Sequence, residues 1–261
     1  MATFERREEL RDTFDRAAPR YDEGRPAYPE VLFDDLAEVS GAPAGSRLLE
    51  IGAGSGIATR ALAERGFAVV GVELSAEMAR QARQSLSAFP AVSIITTSFE
   101  EFTDPEPFDG VVAFSSFHWL RADTRGEEVS AFLRPGGFLA VADARWSIDD
   151  DEFGKGFERD CELVLGDDVR KGGAPGITPL RDEMSQAGFT HLVERRYDWE
   201  ATYSPGRFIA LLSTLPWYLS LPTAARDQLF AMTEARIEAL RDGVVATTFH
   251  AILDVAMKLA V

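Results

Sequence analysis

The segment that most constrains the fold is a short apolar run that leads into three closely spaced glycines. Residues Leu48–Ile51 have the composition of a buried strand, and Gly52, Gly54 and Gly56 follow directly, before a helical pattern. Glycines are needed where the backbone turns tightly and a ligand approaches it without intervening Cβ atoms. In a doubly wound sheet such a turn faces the ligand crevice at the carboxyl ends of the strands. The sequence therefore predicts a ligand-binding α/β fold.

Apolar runs alternate with helical stretches from residue 47 to residue 144, which is typical of βαβ units and a mostly parallel sheet. The runs carry no polar alternation, as expected for strands buried on both faces. We predict strands at Arg47–Ile51, Ala68–Leu74, Val92–Thr97, Phe108–Ser115 and Phe138–Ala144. We predict crossover helices at Gly56–Arg65, Ala76–Ser87 and Arg125–Leu133.

This alternation fades after residue 144, where longer helical patterns dominate. We predict helices at Ser147–Leu165, Thr178–Gly188, Pro205–Leu215 and Ala224–Arg241. His191–Trp199 alternates like a half-exposed strand, and the β-branched residues of Val244–Met257 favour a strand there. The breaker-rich loop Lys171–Gly176 makes residues 167–177 a candidate lid.

The chain accordingly divides into three expected parts. Residues 1–30 form an N-terminal cap segment, in which two nearby prolines, Pro26 and Pro29, impose an extended path. Residues 31–144 form the α/β core that binds the ligand. Residues 145–261 form a helical insertion that shapes a substrate site and also contributes the last strands of the sheet.

Charge and cysteine content restrict the partners and the compartment. The formal net charge is -16 and the sequence pI is about 4.6, so the chain would repel nucleic-acid phosphates and anionic lipid head groups. The single cysteine, Cys161, excludes an internal disulfide and a thiolate cluster for zinc, and no metal site is expected. We expect a cytoplasmic protein, a monomer or homodimer, with no nucleic-acid or membrane partner.

Two acidic residues accompany the glycine turn and indicate the charge of its ligand. Glu50 lies in the strand that leads into the turn, and Glu73 ends the next strand. A dinucleotide fingerprint would require a third glycine at position 57, where this chain has Ile57. A carboxylate at Glu50 would repel a pyrophosphate but suits a ligand with ammonium and sulfonium groups. The carboxylate of Glu73 can accept hydrogen bonds from both hydroxyls of a ribose.

These residues together resemble those of class I S-adenosylmethionine (SAM)-dependent methyltransferases. The similarity is greatest to the small-molecule branch that includes trans-aconitate methyltransferase-like proteins. The segments that carry it are Glu50–Gly56, Glu73, Phe108–Asp109, Ser116–Trp119 and Leu133–Gly137. The resemblance covers roughly residues 14–144 and implies a doubly wound, mostly parallel seven-stranded sheet with a helical C-terminal elaboration. It also implies methyl transfer from SAM, with S-adenosylhomocysteine (SAH) as the product.

The resemblance assigns roles to individual cofactor residues. Gly52, Gly54 and Gly56 approach the methionine and ribose portions of SAM, with Glu50 beside them. Glu73 is expected to bind the ribose hydroxyls, and Leu74, Ser98 and Phe99 to contact the adenine. Ser115 is expected to contact the methionine end, and the segment with Tyr21, Arg25 and Tyr28 to close over the cofactor. Ser98 stands where the family often has an acid, and Phe99 is equally well explained as a core residue.

Candidate catalytic and acceptor-binding residues lie mostly after the predicted fourth strand and after the α/β core. His118 is the leading candidate for a general base, although a structural hydrogen bond explains it equally well and a carboxylate or enolate acceptor needs no base. Candidate acceptor walls are Tyr28, Trp119, Arg145, Trp146 and Trp217. Two alternative functions stay open at this point: an NAD(P)-dependent oxidoreductase of similar fold and a non-catalytic SAM-binding protein.

Overall fold

A central β-sheet organises the protein, as seen in a computed structural model that describes residues 14–148, 152–166 and 180–260. The described chain contains a seven-stranded sheet with the order β3-β2-β1-β4-β5-β7-β6. The strands are β1 Arg47–Ile51, β2 Ala68–Glu73, β3 Val92–Thr96, β4 Phe108–Phe114, β5 Leu133–Ser147, β6 Phe189–Tyr203 and β7 Val245–Lys258. Strands β1 to β5 pair in parallel, and β7 pairs antiparallel with both β5 and β6.

Helices cover both faces of this sheet. The helical segments are α1 at residues 14–24, α2 Glu30–Ser40, α3 Ile57–Glu64, α4 Ala76–Ser85, α5 Arg125–Phe132, α6 Glu152–Leu165, α7 Arg181–Gln186, α8 Pro205–Leu212, α9 Pro216–Leu219 and α10 Thr223–Glu238. Phe117–Trp119 forms a 3-10 turn after β4. Ser75 caps the start of α4, because its hydroxyl accepts a hydrogen bond from the Met78 amide at 3.1 Å.

Neighbouring residues of the buried strands pack into opposite layers. Leu48 contacts the layer that includes α2 and α3, whereas Leu49 contacts the layer that includes α5 and α7. A third apolar cluster joins α6, α8 and α10 to the ends of β5, β6 and β7. The sheet order reverses direction at β1, so a crevice opens outside the carboxyl ends of β1 and β4.

The predicted fold class is confirmed, while several element boundaries were wrong. Strand β5 begins at Leu133 and not at Phe138, because Leu133 already pairs with Phe108 before a register shift. It also runs on to Ser147, where a helix was predicted to begin. The helix predicted at Pro205–Leu215 ends at Leu212 as α8, and a separate short helix, α9, follows at Pro216–Leu219. The strand predicted at the end of the chain is confirmed as β7. The candidate lid at residues 167–177 lies outside the described residues.

No helix in the described ranges is both long enough and apolar enough to span a membrane.

Gly110 provides a test of the packing between β4 and β5. A Cβ atom at Gly110 would lie 2.3 Å from the ring of Phe138, so Gly110→Ala should lower the free energy of unfolding by about 2 kcal/mol. Urea denaturation would measure this change. Gly206→Ala is the control, because a Cβ there meets nothing within 4 Å. Equal unfolding midpoints for the two variants would contradict the tight contact.

Candidate functional site

The glycine turn after β1 has a left-handed backbone at each of its three glycines. The φ angles are 69° at Gly52, 58° at Gly54 and 92° at Gly56. A Cβ at Gly52 would lie 2.6 Å from the Cβ of Ser116, and one at Gly56 would lie 2.7 Å from Leu86. A Cβ at Gly54 would meet nothing within 4 Å. Gly54 therefore borders open space, while the other two glycines are required by protein packing.

The carboxylate of Glu73 fastens this turn to the end of β2. Its Oε2 accepts a hydrogen bond from the Gly54 amide at 2.8 Å, and its Oε1 accepts one from the Ser75 amide at 2.8 Å. Burial raises the pKa of Glu73, and these backbone hydrogen bonds oppose that rise. A carboxylate has about four acceptor positions, so Glu73 retains capacity for two further donors.

Glu50 is the more deeply buried of the two acids, with 1% of its surface exposed. Its Oε2 accepts a hydrogen bond from the Thr59 hydroxyl at 2.6 Å. Burial raises the pKa of Glu50 to about 8, and the nearby charge of Glu73 adds to the rise. At neutral pH the carboxyl group of Glu50 is therefore mostly protonated until a cation approaches it.

Two adjoining cavities open at this turn, with volumes of about 150 Å³ and about 80 Å³. The larger, here the Glu73 cavity, is bordered by Glu73, Leu74, Met78, Ser98, Phe99 and Trp119. The smaller, here the aromatic cavity, is bordered by Tyr28, Glu50, Ala144, Trp146, Trp199 and Phe249. Both cavities share Tyr21, Gly52, Gly54, Phe114 and Ser115. A ligand that fills one cavity thus borders the other.

The segment that contains α1 crosses this opening and joins the core to the C-terminal helices. Asp15 accepts a hydrogen bond from the Ser75 hydroxyl at the start of α4. At the other end of α1, the Tyr203 hydroxyl donates to the Gly24 carbonyl at 3.1 Å, and Arg25 Nε donates to the Thr214 hydroxyl at 2.7 Å. These contacts hold Tyr21 against both cavities.

Ser115 occupies the wall shared by the two cavities in a strained conformation. Its φ angle is 51°, a region that non-glycine residues rarely adopt and that costs about 1–3 kcal/mol. Its hydroxyl lies 2.7 Å from the Tyr28 hydroxyl and accepts a hydrogen bond from the Ala144 amide at 3.2 Å. Strain of this kind persists where the surroundings over-determine the backbone, often at functional sites.

Most of the residues predicted for cofactor binding come together at these cavities. Those that border one or both cavities are Tyr21, Arg25, Glu50, Gly52, Gly54, Glu73, Leu74, Ser98, Phe99 and Ser115. Gly56 lies behind the turn, where it contacts Leu86. Phe99 is 5% exposed and packs on Phe132 with ring centroids 5.5 Å apart, so it belongs to the core as well as to the cavity wall.

The predicted catalytic and acceptor residues are divided. Tyr28 and Trp146 border the aromatic cavity, but Trp119 borders the Glu73 cavity. His118, Arg145 and Trp217 lie outside the linings of both cavities.

Each of these three residues has a structural reason for its position. The His118 ring is tilted against Trp119 with centroids 4.6 Å apart, and its Nδ1 lies 3.4 Å from Asp143 Oδ1. Arg145 points to the face of β5 opposite Trp146, because successive strand residues alternate. Trp217 packs on Tyr218 with ring centroids 3.8 Å apart. Their predicted roles gain no support from these positions.

Sequence reasoning missed several residues of the walls. Phe114, Trp199 and Phe249 border the aromatic cavity, and Phe14 borders the Glu73 cavity. Strand alternation could have placed Trp199 and Phe249 on the covered face of the sheet. It could not have shown that β7 lies between β5 and β6, which is what brings them to Trp146.

Comparisons with known proteins identify the family. A family model described as "Methyltransferase domain" matches residues 48–137. An uncharacterized methyltransferase of Geobacillus sp. (strain WCH70) is 31% identical over 192 residues, which are 70% of this chain and 87% of that protein. The chain belongs to the SAM-dependent methyltransferases. The uncharacterized methyltransferase Rv3342 of Mycobacterium tuberculosis is 29% identical over 223 residues, covering 85% of this chain and 84% of that protein.

Solved structures share the fold at lower identity. A putative type II methyltransferase from Anaeromyxobacter dehalogenans has a TM-score of 0.63 and 22% identity, covering 91% of this chain and 99% of that chain. A SAM-dependent methyltransferase from Geobacter sulfurreducens, in complex with SAH, has a TM-score of 0.52 and 17% identity, covering 92% and 97%. Family membership confirms SAM as the cofactor and decides against the NAD(P)-dependent oxidoreductase.

The described residues fit this cofactor. Open space beside Gly54 admits a ligand against the backbone, and Glu73 retains acceptor positions for two hydroxyl donors. The second carboxyl, Glu50, favours a cationic group over an anionic one.

An alanine substitution at Gly54 can distinguish the effect of blocking a ligand from the effect of backbone strain. Gly54→Ala places a methyl group in the open space and should weaken SAH binding by about tenfold or more, as calorimetry would measure. Gly41→Ala is the matched control, because Gly41 has a φ angle of 62° and a Cβ there also meets nothing within 4 Å. Both variants should lose about 1 kcal/mol of stability. The same SAH affinity in both variants would argue against a ligand at Gly54.

Glu50 should couple cofactor binding to pH. A bound cation lowers the pKa of Glu50 from about 8 toward its ordinary value, so binding releases about one proton at pH 7. SAM affinity should therefore rise from pH 6 to pH 8 and then level off. Calorimetry in buffers of different ionisation enthalpy would count the proton. Glu50→Gln should abolish the release, and an unchanged proton count in that variant would contradict the assignment.

Proposed function

We propose that this protein transfers the methyl group of SAM to a small-molecule acceptor held in the aromatic cavity. The observation that carries the proposal is the shared wall: the Glu73 cavity and the aromatic cavity meet at Gly52, Gly54 and Ser115. A cofactor whose adenosine lies in the first cavity and whose methionine end reaches Glu50 and Arg25 would meet an acceptor in the second cavity at this boundary. The residues of the wall would then align the reacting groups.

We assign the cofactor contacts residue by residue. Glu73 would hold the ribose hydroxyls, and Leu74, Ser98 and Phe99 would surround the adenine. At the other end, Glu50 would face the ammonium group, and Tyr21 and Arg25 would hold the carboxylate beside the glycine turn and Ser115. This division is supported by the distribution of these residues between the two cavities. Arg25 is held in place by Thr214, so its guanidinium is oriented before the ligand arrives.

The cofactor supplies an activated methyl group on a cationic sulfur, so the protein has to position the acceptor and exclude water. The segment around Tyr21 covers the opening. At the shared wall, Tyr28 and Ser115 can exchange hydrogen bonds with an acceptor oxygen. Burial raises the pKa of Tyr28 above its ordinary value, so its hydroxyl keeps its proton and acts as a donor. His118 would act as a base only for an acceptor that reached beyond the lining of the aromatic cavity.

We further propose the organisation and setting of the enzyme. Residues 1–30 serve as the cap, 31–144 bind SAM, and 145–261 shape the acceptor site, as in the small-molecule branch of trans-aconitate methyltransferase-like proteins. The net charge of -16 supports a small-molecule acceptor over nucleic acid. We propose a cytoplasmic monomer or homodimer.

The ribose role of Glu73 tests the proposed function. Glu73→Ala should weaken SAH binding by more than about tenfold, because it removes an acceptor for two hydroxyls. Glu77→Ala is the control, because Glu77 lies on α4 in an exposed ion pair with Arg80. Calorimetry would compare the two variants with the unmodified protein. Equal affinities in all three would remove the ribose role.

Transfer itself would be measured with methyl-labelled SAM and a metabolite extract. Label should pass to a low-molecular-weight product, and Gly54→Ala should lower its yield. Tight SAM binding without any labelled product would instead favour the non-catalytic SAM-binding protein.

A further inference from the structure

Three large aromatic side chains stand in one row across the last strands of the sheet. Trp146 of β5 pairs with Phe249 of β7, and Phe249 pairs with Trp199 of β6. The rings of Trp199 and Phe249 stack with centroids 5.3 Å apart and an interplanar angle of 24°. All three residues border the aromatic cavity.

Small residues follow this row on the same face of the sheet. Ala144 lies two residues before Trp146, and it pairs with Ala251, which lies two residues after Phe249. Residues two apart on a strand share a face, so on β5 and β7 the rings are followed by a level with little side-chain volume, whereas on β6 that level carries Tyr197, which pairs with Ala251. Ala144 borders the cavity directly. The space beside the rings is therefore created by the sequence of the two strands.

Further rings continue the wall toward the boundary with the Glu73 cavity. Tyr28 lies 6.1 Å from Trp199 and 5.4 Å from Phe114, measured between ring centroids. The Tyr28 hydroxyl is hydrogen-bonded to the Ser115 hydroxyl at 2.7 Å. A flat ligand in this space would thus contact ring faces and edges along its length, up to the wall where methyl transfer is proposed.

The charges around the cavity disfavour an ionised ligand. A carboxylate would meet the acidic Glu50. Arg25 also borders the cavity, but it donates a hydrogen bond to Thr214 and is assigned above to the carboxylate of the cofactor. An ammonium ion would be repelled by the sulfonium next to it.

We propose that the aromatic cavity takes a neutral, planar aromatic acceptor whose hydroxyl oxygen receives the methyl group. This inference rests on the proposed function, because it assumes SAM in the Glu73 cavity. For a hydroxyl acceptor, the oxygen bonds to the methyl carbon as the carbon–sulfur bond breaks. The electron pair of that bond stays on sulfur, and the hydroxyl proton leaves to the solvent outside the cavity.

Two matched series of compounds test the chemical class of the ligand on the SAH-loaded protein. The first is 2-naphthol, decahydro-2-naphthol and 2-naphthoate, and the second is phenol, cyclohexanol and benzoate. In at least one series the neutral aromatic alcohol should bind about tenfold more tightly than each of the others, by calorimetry. No such preference in either series would overturn the proposal.

A cavity-filling variant tests the location. Ala144→Leu should weaken binding of the preferred alcohol by about tenfold while SAH affinity stays unchanged. Ala131→Leu is the control, because Ala131 is exposed on α5. Unchanged binding of the alcohol to Ala144→Leu would overturn the location even if that compound is preferred.

A second pair of variants guards against a simple loss of folding. Trp199→Ala should weaken binding of the same alcohol. Trp217→Ala, which alters a tryptophan outside the cavity, should leave that binding unchanged. Equal losses in the two tryptophan variants would also overturn the location. Absence of SAH binding to the unmodified protein would count against the proposed function alone, because both compound series can be run on the free protein.

Discussion

The hydrogen bond from the Gly54 amide to the Glu73 carboxylate holds the site together. It fastens the end of β1 to the end of β2, and through the Ser75 amide it continues to the start of α4. The Gly52 and Ala53 amides also join the turn to β2 by donating to the Val72 carbonyl, and the carboxylate adds the link at Gly54. The same group is the proposed ribose ligand. Structure and binding therefore depend on one side chain.

Burying two ionised carboxylates near each other would destabilise the folded protein. The two groups avoid this in different ways. Glu73 is stabilised by backbone amides, whereas Glu50 has one hydroxyl partner and a pKa of about 8. A cationic ligand lowers the pKa of Glu50 and so favours its ionised form, which makes the site selective for the charge of its ligand.

Local sequence signals were sufficient for the core and insufficient for the acceptor cavity. The glycine spacing, the two acids and the apolar runs predicted β1 to β4 and most of the cofactor residues, because each depends on contacts within one βαβ unit. His118 was an attractive base only as a residue next to the fourth strand, and its side chain turned out to face Asp143. Trp199 and Phe249 were missed because the cavity wall depends on strand order, and no local pattern specifies which strand is inserted between two others.

The position of β7 also has a consequence for assembly. Strand β6 is separated from β5 by β7, which the chain reaches only 42 residues after the end of β6 at Tyr203. Until β7 is in place, β6 has no neighbour in the sheet, and its hydrogen-bonding edges are unpaired. Phe249 is the middle ring of the aromatic row, so the row closes at that same step. During biosynthesis, the strands that bind the cofactor can therefore pair before the acceptor cavity is complete. In that interval the tryptophans of the aromatic row are exposed and available to chaperones.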